Sequence, residues 1–151
     1  MGDPWKPPWL PALAHSRCGD DTQAVEYEIL WAGDGQSVTI TTSGRVTVEA
    51  MDSWVQTVLD DSRYRPDLRI LLDDRASESA HLTVGDVRRR VDLLERDAER
   101  FGQPRIACVV NTKVDFGVSR MTQSLSEGRW HGVTRVFEDI DDARAWLWET
   151  D

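Results

Sequence analysis

The sequence predicts an α/β protein: a mixed β-sheet, made of an N-terminal hairpin and parallel β-α-β crossovers, covered by helices. Three observations predict it. From Val25 onward, apolar residues switch between a spacing of two and spacings of three and four, the periods of strand and helix. Asp34-Gly35 supplies a tight hairpin turn between the first two strand patterns. Two later apolar runs, Ile70 to Leu72 and Ile106 to Val110, are continuous, as strands covered on both faces are.

The elements follow in order. Val25, Tyr27, Ile29 and Trp31 occupy every second position of a first strand, and Val38, Ile40 and Thr42 alternate in the returning one. Thr47 reads as a helix N-cap, because Met51, Trp54, Val55, Val58 and Leu59 follow at helical spacing until Pro66 ends the region. After the strand at Ile70, the segment from Asp73 to Leu82 is polar and reads as a loop. Thr83 and Asp86 form a relative of the capping box at the head of a long amphipathic helix carrying Val84, Val87, Val91, Leu94, Ala98 and Phe101. Gly102 and Pro104 stop it. A helix from about Phe116 to Leu125 turns Val118, Met121 and Leu125 inward, Val133 to Phe137 is the last strand, and Ile140, Ala143 and Leu147 face one side of the last helix. The predicted order is β-β-α-β-α-β-α-β-α, with right-handed parallel crossovers.

With 151 residues, the chain has room for one core without disulfide or metal staples. We expect a flexible proline- and tryptophan-rich arm over residues 1–23 and a single domain over 24–151. In the arm Pro4, Pro7, Pro8 and Pro11 alternate with Trp5, Trp9 and Leu10, which favours extended polyproline II. A net charge of −9 argues against nucleic acid or an anionic membrane as partner. No apolar run reaches the ~18 residues of an integral membrane segment, and no signal peptide is visible. Two cysteines form no disulfide framework, so a cytoplasmic location is expected. Among seven tryptophans, Trp31, Trp54 and Trp146 fall on core-facing positions. Trp130 lies near a loop before the last strand, and Trp148 is expected half covered.

Chemistry-bearing residues gather at the carboxyl ends of the strands, where ligands of open α/β sheets bind. Asp73-Asp74 resembles the acidic pair of a receiver domain, but the next strand ends in Asn111, not in a phospho-accepting Asp. Asn111 to Asp115 resembles a guanine-specificity motif, yet no phosphate-cradling G-x-x-x-x-G-K-[ST] loop accompanies it. His81, with Ser77, Glu78 and Ser79 nearby, lacks the nucleophile elbow of a serine hydrolase. His15 and Cys18 are spaced as half of a metal site with no second half, so neither metal nor cofactor is expected. Cys108 sits in an apolar strand and should be buried. Arg88-Arg89-Arg90 is the one basic run and reads as an outer face, with Arg88–Asp92 and Asp92–Arg96 pairs along the helix.

The stretches "GRVTVEAMDSW", "RILLDDRASESAHLTVGDVRRRV" and "RIACVV", with the ending "RVFEDIDDARAWL", are similar to the SpoIIAA-like group of STAS domains, the bacterial anti-sigma-factor antagonist-like family. The resemblance runs from about Val25 to Leu147. It implies a mixed sheet with helices over it and a non-enzymatic, regulatory role in protein–protein interaction. In phospho-regulated members a serine opens the helix after the central strand; here Thr83 is the hydroxyl at that place, without the Asp-Ser pair. The group is also similar to the lipid-binding CRAL-TRIO proteins, which implies an apolar ligand between helices and sheet.

Three functions follow as expectations. The first is a non-catalytic protein-interaction module using His81, Arg88 and Arg89, with Thr83 as a regulatory phosphorylation candidate and homodimer formation left open. The second is a carrier or sensor of a lipid-like apolar small molecule in a cleft lined by Trp31, Trp54, Phe116, Met121 and Trp146. The third is an uncharacterised hydrolase using Asp73 or His81.

Overall fold

The computed structural model describes residues 26–149. In chain order the elements are β1 (Glu26–Trp31), β2 (Ser37–Arg45), α1 (Val48–Asp60), β3 (Arg69–Glu78), α2 (Val84–Arg96), α3 (Ala98–Phe101), β4 (Arg105–Val109), α4 (Lys113–Ser126), β5 (Val133–Phe137) and α5 (Ile140–Leu147). The five strands form one sheet in the order β1-β2-β3-β4-β5. β1 and β2 are antiparallel and every later pair is parallel. The expected mixed α/β sheet is therefore present. The arm expected over residues 1–23 lies outside the described residues.

Strand order that follows chain order has a geometric consequence. Right-handed crossovers between successive neighbours all pass on the same side of the sheet. α1, α2 and α4 accordingly share one face, and α5, which follows the last strand, packs on the other. The register shows which side chains meet which layer. Ile29, Ile40, Leu72, Cys108 and Val136 form one row across all five strands. That row belongs to the main core with Met51, Trp54, Val55 and Val58 of α1, Phe101 and Trp130. The opposite face, with Leu71, Ala107 and Val109, packs under Ala143, Trp146 and Leu147 of α5. Each large side chain so buried stabilises the fold by about 1.5–3 kcal/mol.

Local chemistry sets the helix starts. Thr47, Thr83 and Thr112 each accept a hydrogen bond from the third backbone N–H of their helix, and Asp139 caps α5 through the N–H groups of Asp141 and Asp142. Thr83 and Asp86 complete a reciprocal capping box.

The structure corrects several expectations. Asp73 to Glu78 is not a loop but the second half of β3. The long helix is interrupted at buried Asp97, whose carboxylate is held by Gln56 and Arg96, so α3 is a separate short turn. α4 starts at Lys113, and Met121 on it is 39% exposed rather than inward. Trp130 is buried, edge-on to Phe101 at 5.2 Å. Asp92 pairs with Arg129, and Arg96 with Asp52 and Asp97, in place of the pairs expected along α2.

Gly102 closes α3 at φ +68°, and a Cβ there would lie 2.5 Å from Cβ and 2.9 Å from Cα of Pro66. Left-handed backbone and a backbone clash combine at one position. Gly102→Ala is expected to lower unfolding free energy by about 2–4 kcal/mol, read from urea midpoints at unchanged m.

Candidate functional site

Pairing between β2 and β3 slips once. β2 advances two residues, Thr41 to Ser43, while β3 advances three, Asp73 to Ala76. β3 thus carries a bulge, and side-chain alternation is reset across it. Asp74 and Ser77, three apart, come to the same face, under the three helices. Thr42 of β2 stands between them: its hydroxyl donates to Asp74 Oδ1 at 2.5 Å and accepts from the Ser77 hydroxyl at 2.5 Å. Cys108 of β4 donates its thiol to Asp74 Oδ2 at 3.4 Å. Arg90 reaches in from α2, with its Nε hydrogen-bonded to Met51 Sδ.

Asp73, one residue earlier, points to the opposite side and pairs with Arg75. The two acids therefore do not share a receiver-like site. No group of three or more metal-ligating side chains occurs among the described residues.

A second acid lies close by. Asp115, in the first turn of α4, accepts from the Ser79 N–H at 2.9 Å, the Ser79 hydroxyl at 2.5 Å and the Thr112 hydroxyl at 2.7 Å. Burial pushes its carboxyl up, but the Ser79 and Thr112 hydrogen bonds outweigh it and hold the carboxyl below its ordinary range. Asp74 shifts the other way. Burial raises it against the Thr42 hydrogen bond and the Arg90 charge. Burial, reinforced by Asp74, likewise pushes the Cys108 thiol well up, so it stays a thiol and a donor. His81 Nε2 lies 2.6 Å from the Val46 carbonyl and donates to it. With Ser77 bonded to Thr42 and Ser79 to Asp115, no Ser–His pair forms among the described residues.

These groups line a chamber between the sheet and α1, α2 and α4. Its polar lobe, about 20 Å³, is walled by Thr42, Ser77, Ser79 and Asp115. Its apolar lobe, about 70 Å³, is walled by Val55, Leu94, Ile106, Trp130 and Val136. Met51, Trp54, Leu72, Asp74, Arg90 and Ser119 border both lobes. The apolar lobe adjoins a groove of about 230 Å³ along α4 and β5, reached past Gln123, Ser126, Trp130 and Thr134. The side-chain oxygen Oε1 of Gln123 is buried there without a hydrogen-bond partner.

Of the side chains expected to line an apolar cleft, only Trp54 borders this chamber. Trp31 is half-buried at the β1 end under the Arg63 guanidinium, and Phe116 packs on the edge of the main core. Met121 is exposed, and Trp146 packs on the far side of the sheet against Phe137. Periodicity places a side chain inward without saying toward which face of the sheet. Arg90 breaks from Arg88 and Arg89, which stay on the exposed side of α2, where Arg89 pairs with Glu49. Thr83 is exposed at the head of that helix. Helical spacing from Val87, Val91 and Leu94 would have placed Arg90 inward; for Gln123 and Trp130 no comparable signal exists.

The opposed shifts of Asp74 and Asp115 give opposed pH signatures. A raised folded-state pKa means that Asp74 costs stability progressively as pH rises above about 4. The margin of Asp74→Asn over wild type in thermal midpoint is expected to be smallest near pH 4 and to grow as pH rises from there. A lowered pKa means that Asp115 contributes stability above about 4 and loses it as pH falls. Asp115→Asn is expected to cost about 1–3 kcal/mol at pH 7 and progressively less below pH 4, read by urea unfolding.

Comparison with known proteins places the architecture. A solved structure with 17% sequence identity, an uncharacterised protein of the DUF3478 family with a SpoIIAA-like fold from Shewanella loihica PV-4, superposes with a TM-score of 0.55 over 87% of this chain and 99% of its own. No functionally curated protein matches. The SpoIIAA-like family model matches residues 37–148, from the first residue of β2 to the end of α5. The chain, with its bulged β3 and its helices α1 to α4 on one face, belongs to the SpoIIAA-like family.

Proposed function

We propose that this protein is a non-catalytic regulatory module whose signal is a small, largely apolar molecule held between its sheet and its helices. The observation that carries the reading is the chamber itself. Its walls are large apolar side chains, Trp54 and Trp130 among them, and Gln123 leaves a buried acceptor unpartnered beside it. An orphaned buried acceptor costs about 1–3 kcal/mol, so this part of the wall carries a polar group that the chain itself leaves unsatisfied. Family membership supports the non-catalytic part, since the SpoIIAA-like family is generally non-catalytic. A long lipid chain is a poor match. An engineered cavity of about 150 Å³ admits benzene, and the apolar lobe is about half that size.

Protein interaction fits the same scheme through α2. Its inner side supplies Arg90 and Leu94 to the chamber, while Arg88 and Arg89 stand on its exposed side. His81, Thr83, Arg88 and Arg89 are the face we assign to a protein partner. Phosphorylation of Thr83 would act there by displacing Asp86 from the capping box that starts the helix.

The test uses isoamyl alcohol as an apolar probe. Tryptophan emission should shift on its addition, and amide hydrogen exchange should slow across α1, α2 and α4. Leu94→Trp, which fills the apolar lobe, should abolish both responses. Unchanged emission together with unchanged exchange in α2 would reject the reading.

A further inference from the structure

We propose that Arg90 makes this chamber a site for a small monocarboxylic acid with an apolar body; the inference rests on the ligand-module reading above and names the ligand's class. Arg89 and Arg96, on the same helix, are each ion-paired. Arg90 is not: among the described residues no carboxylate lies within ion-pair distance of it, and Asp74 faces it from farther off. Its hydrogen bond goes from Nε to the thioether of Met51, a weak acceptor. Its two terminal nitrogens make no hydrogen bond to the described residues and stay within reach of solvent and of an entering ligand.

An arginine that is partly buried, bordering both lobes and without an acceptor for its planar fork presents the geometry that a carboxylate fills with two parallel hydrogen bonds. The polar lobe selects among anions. At about 20 Å³ it holds little more than one water-sized group, enough for a carboxylate oxygen and too small for a tetrahedral phosphate. The apolar lobe begins on the same six bordering residues, so head and body of one molecule are served together. Asp74 stands against an anion while ionised, yet burial favours its neutral form, and both its oxygens already accept hydrogen bonds from Thr42 and Cys108.

Three probes of one shape separate head from body: isovalerate, isovaleramide and isoamyl alcohol, titrated calorimetrically at pH 6. Isovalerate should bind about tenfold or more tightly than either neutral probe. Arg90→Met should remove that advantage, while Asp74→Asn should strengthen isovalerate. Equal binding of acid and alcohol to the wild-type protein would overturn the inference and leave the apolar-ligand reading standing. Binding of none of the three would overturn both. The wild-type comparison decides the matter even if Arg90→Met fails to fold.

Discussion

Three crossovers of one hand, joining strands whose spatial order is their chain order, have no choice of side. That constraint puts α1, α2 and α4 together over one face of a five-stranded sheet and leaves α5 alone on the other. The rest of the molecule follows from the crowding. Trp54, Leu94 and Trp130 pack near the middle of the crowded face, and the chamber is the space they leave over β3, β4 and β5. The bulge in β3 then turns Asp74 and Ser77 into it, where Thr42 ties both to β2.

Two carboxylates line the polar lobe. The structure treats them differently. Asp115 receives three hydrogen bonds from Ser79 and Thr112 and is settled as an anion at the start of α4, where the helix end also favours negative charge. Asp74 has two donors and an arginine that does not close on it. One acid ties the end of β3 to α4; the other is left with fewer donors and an arginine at a distance. The surface ion pairs, such as Arg129 with Asp92 and Glu95, are exposed and add little to stability.

The architecture was largely legible in the sequence, because apolar periods survive wherever one face is buried. Ile70 to Leu72 and Ile106 to Val110 read as covered strands and are so. The second half of β3 was hidden because its outward positions carry Asp73 and Arg75 and its inward ones carry Asp74 and Ser77, so no apolar alternation marks the pleat. The site was less legible. Arg90 stood inside a run of three arginines whose composition suggested a solvated face, and only its spacing from Val87 and Val91 set it apart. Trp146 was rightly inward but belongs to the opposite layer, a distinction that spacing does not encode.

Neighbouring strands that are also consecutive in the chain bear on how the fold is reached. Each parallel pairing closes over one helical crossover, α1, α2 with α3, or α4, so the sheet can grow by adding one unit at a time to an edge already formed. The hairpin of β1 and β2 is the antiparallel pairing of the sheet and its most local contact in the chain. The chamber takes its outer wall from α4 and β5, at the far edge of the sheet, so opening it there disturbs only the β4–β5 pairing.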